Sequence, residues 1–199
     1  MKLKYLTVVA LILAGVLLIE VKLGLVSFRW KANANKPPTK FVPSPAFINK
    51  RNGILTLDPN SLGLRQNDCT SGIWGLMLER NRGSMLESMV VLKDGTIRML
   101  TSQGRTFVGL EQYSEIADLA KRLFSMAAEM KPLCTKMTEY PYPKAGCVRL
   151  YVLTFDGVFS AETYAQHSRD ALSPIFYEAW YLSDTIHREL KWQQVRRNN

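Results

Sequence analysis

Two histidines and three cysteines are the residues of this 199-residue chain best suited to chemistry. His167 lies in Ala-Gln-His-Ser-Arg-Asp. To act as a base it needs an orienting carboxylate, for which Asp170 is nearest, and a nucleophile within about 3 Å, which the fold would have to supply from Ser168 or a distant cysteine. His187 stands beside Arg188 and Glu189 towards the end of a predicted helix, where the helix dipole favours a cation. Cys69, in Asn-Asp-Cys-Thr-Ser-Gly, occupies a polar stretch that would expose a thiol, yet no cationic cluster adjoins it to depress its pKa. These settings do not assemble a catalytic group, so no catalytic residue is assigned.

The other two cysteines, Cys134 and Cys147, enclose a loop rich in proline and tyrosine. In an oxidising compartment they are the expected disulfide, since closing about fifteen residues stabilises by roughly 3 kcal/mol in the chain-entropy model. Cysteine spacing fits no zinc pattern, so neither a metal nor a cofactor is expected. Asp94 and Asp156 each precede a glycine and read as turn formers, not as an acid pair.

What surrounds these residues decides where they work. Tyr5 to Ile19 is an uninterrupted uncharged stretch. As a helix it reaches about 22 Å against a hydrocarbon core of about 30 Å, so Leu3 must extend it while Lys2 and Lys4 snorkel to the headgroups. Glu20 and Lys22 would each cost about 2.5 to 3.5 kcal/mol near the bilayer centre. The reading is therefore a membrane anchor from Leu3 to Ile19, with Glu20 to Trp30 at the interface. A cleaved signal peptide is the competing reading; its only Ala-x-Ala, Ala32-Asn33-Ala34, lies well beyond Ile19. The signal-like layout favours an extracytoplasmic domain, whereas a strict count of flanking cations favours a cytoplasmic one.

The net charge of +9 is unevenly spread. Of 26 basic residues, nine precede Asp58 against Glu20 alone, which leaves 17 basic and 16 acidic residues in the remainder. A nearly neutral folded part argues against nucleic acid. Lys22, Arg29, Lys31, Lys36, Lys40, Lys50 and Arg51 instead read as a membrane-proximal basic tether facing lipid headgroups, and they fit a solvated basic linker equally. Within it, Pro37, Pro38, Pro43 and Pro45 predict an irregular stalk over 31–53, ahead of a single domain over 54–199.

In that domain, apolar runs broken by Asn81-Arg82-Gly83-Ser84, Asp94-Gly95 and Ser102-Gln103-Gly104 predict a meander between Ile73 and Leu110. A second hairpin is expected over Cys147 to Tyr164 about Asp156-Gly157. Ile116, Leu119, Ala120, Leu123, Phe124, Ala127 and Met130 form one helical stripe after Ser114, the expected N-cap. Ile175, Ala179, Leu182, Ile186 and Leu190 form another, after a Ser173-Pro174 start and before a tail from Gln193 expected to fray. Between them Tyr140-Pro141-Tyr142-Pro143 reads as a stiff loop covering an apolar face. The fold class is α+β: an antiparallel meander of about six strands in two groups, with two amphipathic helices packed on one face, behind an N-terminal transmembrane helix.

The function these features favour is a membrane-tethered, noncatalytic module with a protein partner. Two alternatives stay open: a small envelope hydrolase or thiol-redox protein using His167 or Cys69, and a carrier of a small hydrophobic ligand.

Overall fold

The computed structural model describes residues 41–164 and 174–197. The expected anchor and interface segment, Lys22, Arg29, Lys31, Lys36, Lys40, His167 and Ser173 lie outside the described residues. Among those described, no helix is long and apolar enough to cross a membrane.

The strands are β1 Ile73–Asn81, β2 Leu86–Leu92, β3 Ile97–Thr101, β4 Thr106–Phe107, β5 Thr135–Met137, β6 Cys147–Thr154 and β7 Gly157–Tyr164. They form one sheet in the order β4-β3-β2-β1-β6-β7-β5, with every neighbouring pair antiparallel. The two expected groups are thus joined. The join is β1 against β6, where Leu76 faces Val152 and Leu78 faces Leu150. The extra strand is β5, which pairs with β7 through Thr135 and Ser160.

Helices α1 Pro45–Leu55, α2 Ser114–Met130 and α3 Pro174–Arg197 complete the regular structure. α2 and α3 pack on one sheet face, where Leu123, Ala127, Leu182 and Ile186 of the expected stripes are at 0% exposure while Phe124 and Leu190 are only partly buried. Two details differ from expectation. The cap position of α2 belongs to Tyr113, which makes no side-chain capping bond, and Ser114 is the first helical residue. α3 continues to Arg197 because Trp-Gln-Gln-Val-Arg-Arg contains neither glycine nor proline to stop it.

The opposite face is covered as well. β1 and β2 are buried almost throughout, on both faces, as the apolar runs Ile73–Leu78 and Met89–Leu92 within them require. The cover comes from short 3₁₀ turns between Pro59 and Gly72, from the Tyr140–Pro143 loop, and from α1. The last of these corrects the stalk: residues 45–53 are helical and packed. Pro45 occupies the first helical turn, where it has no hydrogen bond to break, and Ser44 caps the helix by accepting from Phe47 N at 3.3 Å. Ser44 N also donates to Ser102 O at 2.8 Å, which ties the entry of α1 to the end of β3.

Candidate functional site

α1 buries Phe47, Arg51 and Leu55, spaced one turn apart, against the sheet. Arg51 is 2% exposed and meets Glu79 of β1, itself 0% exposed, through two parallel bonds: Nε to Oε1 at 2.7 Å and Nη2 to Oε2 at 2.8 Å. Ser88 on β2, directly across from Glu79, donates to Oε1 at 2.7 Å. On the other flank Arg51 Nη2 donates to Tyr151 Oη at 3.1 Å, and Tyr151 donates on to Pro141 O at 2.7 Å. Tyr142 places its ring 4.5 Å from the Arg51 guanidinium carbon, a cation–π contact in a desolvated setting. Arg149 closes the edge by donating to Pro141 O at 2.8 Å and pairing across strands with Glu162 at 2.7 Å.

The electrostatics follow from burial. Desolvation works against the Arg51 cation, but the hydrogen bond and charge of Glu79 outweigh it and keep the guanidinium charged. Burial pushes the Tyr151 phenol up, Glu79 adding to the effect, so the hydroxyl stays protonated and remains a donor to Pro141 O. A buried pair of this kind gains little over an apolar one but leaves an uncompensated charge if either partner is removed, at a cost of about 3–5 kcal/mol. Its bonds run among its own members. What it accomplishes is to fasten α1 and the Tyr140–Pro143 loop to the middle of the sheet.

Arg51 therefore does not belong to a lipid-facing tether. Lys50 points outward and donates to Thr106 Oγ1 at 2.8 Å. Residue type and local charge made both look like tether, because the acid that claims Arg51 lies 28 positions away in sequence.

A second polar group sits on the helix-covered face. Glu87, 3% exposed, lies 2.9 Å from Arg82 Nε and 3.1 Å from His187 Nε2, although the ring N–H is not aligned on it as a hydrogen bond. Burial alone would raise the Glu87 carboxyl, but His187 and Arg82 outweigh burial and hold it below the usual carboxylate range. His187 is thus an inner residue of a long α3, not a helix-end cation.

The cysteines are all free. Cys69 is 5% exposed within the apolar cluster of the second face, and burial raises its thiol while Lys93 offsets part of that rise. This corrects the expectation of an exposed thiol. The Cys134–Cys147 disulfide is also corrected. Cys147 faces Tyr164 on one side of β7, whereas Cys134 directly precedes β5 on the other side. Two strand spacings, about 9.6 Å, exceed the roughly 7 Å that a disulfide can bridge. Burial pushes the Cys134 thiol up to about 11. Among the described residues no group of His, Cys, Asp and Glu is arranged to hold a metal ion.

A cleft also opens on the described surface. Where the β2–β3 turn passes α2, a cleft of about 670 Å³ opens to solvent. Its floor is apolar, built from Ile73, Val91 and Ile97, with Ala117, Ala120 and Phe124 from α2. Two alanines on the helical wall leave the space that larger side chains would fill. On the rim Asp94 accepts from Thr96 N at 2.9 Å and Glu111 accepts from Ile97 N at 3.1 Å. Lys121 pairs with Asp118 at 3.1 Å. No family model, curated protein or solved structure matches the chain.

Proposed function

We propose that the protein is a membrane-tethered, noncatalytic α+β module that binds a protein partner in the cell envelope, with its folded part on the extracytoplasmic side. The observation that carries this reading is the internal use of Arg51 and Glu79. They are spent on each other and on Ser88 and Tyr151, and they lock α1, the described helix nearest in sequence to the apolar Tyr5–Ile19 stretch, to the sheet. The apolar stretch and its flanking lysines support the tether and its contact with lipid, and the nearly neutral remainder speaks against nucleic acid.

Crosslinking in native membranes, read by mass spectrometry, tests it. The full chain should give a reproducible crosslinked protein that is lost when residues 1–30 are deleted. Equal crosslinking by the deleted chain would remove the tether from the account. A second reading, a carrier of a small hydrophobic ligand, is favoured by the cleft beside α2, whose size falls in the range of about 300–1,000 Å³ typical of ligand sites.

A further inference from the structure

The chain enters the described fold at a corner built from two segments that contain no aspartate or glutamate, 41–57 and 95–110. Ser44 N donates to Ser102 O at 2.8 Å, and a Cβ on Gly104 would lie 2.9 Å from Ser44 Oγ, so the start of α1 rests on the turn between β3 and β4. The hairpin continues the surface. Leu100 packs with Phe47 of α1, and Arg98, two positions earlier on β3, shares its face. Across from Leu100, Thr106 of β4 accepts from Lys50 Nζ at 2.8 Å.

Lys50, Arg98 and Arg105 are all exposed, and none of them pairs with a carboxylate among the described residues. The acids that adjoin the corner have to be counted at full charge. Glu79 and Glu87 are 0% and 3% exposed and already face Arg51 and Arg82. Asp58 follows α1 at the end away from Ser44, and Asp94 stands in the turn at the far end of β3. Glu111 reaches the same far end, at Ile97 N, and offsets Arg98 beside it. Lys50 and Arg105 are left, and Lys36 and Lys40 lead into the corner along a run that holds no acid between Glu20 and Asp58. The same two segments expose aliphatic side chains, Val42 at 85% and Val108 at 63%.

We propose that this corner lies against an anionic lipid surface, with Lys50 and Arg105 facing phosphates and Val42 and Val108 in the headgroup layer. The proposal rests on the tether reading for how the corner comes to a membrane, and adds the face of the fold that meets it. A bilayer fits better than an acidic protein because the acid-free run starts directly after the apolar Tyr5–Ile19 stretch and Glu20 and continues through α1. Each cation held near such a surface raises its occupancy about fivefold, and salt screens the effect.

The test uses the full chain reconstituted with vesicles of phosphatidylcholine, alone or with about 30% phosphatidylglycerol to supply the negative surface. The vesicles are floated, and lysines are then acetylated and mapped by mass spectrometry. Lys136, exposed on β5 at the opposite edge of the sheet, is the internal reference. With phosphatidylglycerol, Lys50 should be acetylated about fivefold more slowly relative to Lys136 than on phosphatidylcholine, and salt at about 0.5 M should remove the difference. Arg98→Gln combined with Arg105→Gln should return Lys50 to the phosphatidylcholine rate without moving the urea melt, because both side chains are exposed.

A chain that floats with both vesicles while Lys50 reacts at one rate in both would overturn the lipid contact and leave the tether. Protection of Lys50 in native membranes but not on pure lipid would overturn it in favour of an acidic protein. Flotation with the anionic vesicles alone, lost in the double variant, would uphold the contact and overturn the tether; flotation with neither would overturn both.

Discussion

Arg51 illustrates how one side chain can change the meaning of a segment. Its guanidinium is held by Glu79, Tyr151 and the ring of Tyr142, so truncating it strands a fully buried carboxylate with only Ser88 as a partner. Arg51→Met should lower stability by about 3–5 kcal/mol, whereas Arg51→Met combined with Glu79→Leu should recover most of that loss. Urea melts of the compact unit from Pro38 onward would read this, and a double variant no more stable than the single one would contradict it. Glu87 carries a different signature. Its carboxyl is held below the ordinary range, so it contributes stability that is present above the unfolded-state value of about 4.3 and is lost as pH falls through the lower folded value. Glu87→Gln should flatten that acid limb of the stability–pH curve, and an unchanged limb would show that His187 and Arg82 do not hold the charge. His187→Ala should leave function in a cellular complementation assay intact, because its partner is a buried structural carboxylate and not a nucleophile.

At the level of elements, α1 replaces part of an expected stalk. A domain cut at Ile54 would lose Phe47 and Arg51 together, both buried, and with them the cap on Leu86 and Leu100 and the counter-charge of Glu79. Chains starting at Pro38 should melt cooperatively, while chains starting at Ile54 should be destabilised by at least about 3 kcal/mol. Both long helices were legible in the sequence because their stripes, such as Ile116-Leu119-Ala120-Leu123, are uninterrupted. α1 was not, since its buried face reads Phe47-Arg51-Leu55 and a cation in the middle breaks the apolar period. The turns at Asp94-Gly95 and Asp156-Gly157 were legible from local chemistry, and Gly95 does adopt a positive φ of 91°. The β1–β6 join was not, because nothing in either strand names a partner so far along the chain. That same hidden register separates Cys134 from Cys147. Alkylation of the folded chain under non-reducing conditions should therefore modify no fewer thiols than after reduction, and a mass shift appearing only on reduction would reinstate the disulfide.

At the scale of the molecule, two covered sheet faces give the described residues a body in which Arg51 and Glu79 are paired, with an apolar cleft open beside α2. Under the proposed function this body meets a partner while the apolar stretch that precedes it in sequence holds it at a membrane. The candidate cleft could not be read from sequence at all: Ala117 and Ala120 look like ordinary helix residues, and only their placement opposite the β2–β3 turn makes them the wall of a site. The tether is the central claim. Cells producing the full chain should be broken, their membranes washed with alkaline carbonate, and the pellet compared with that from cells producing residues 38–199. The full chain is expected to remain in the pellet with its N-terminal residues intact and the shorter chain to be released; a full-length chain found in the wash, or one whose mature form begins at Asn35, would contradict the account.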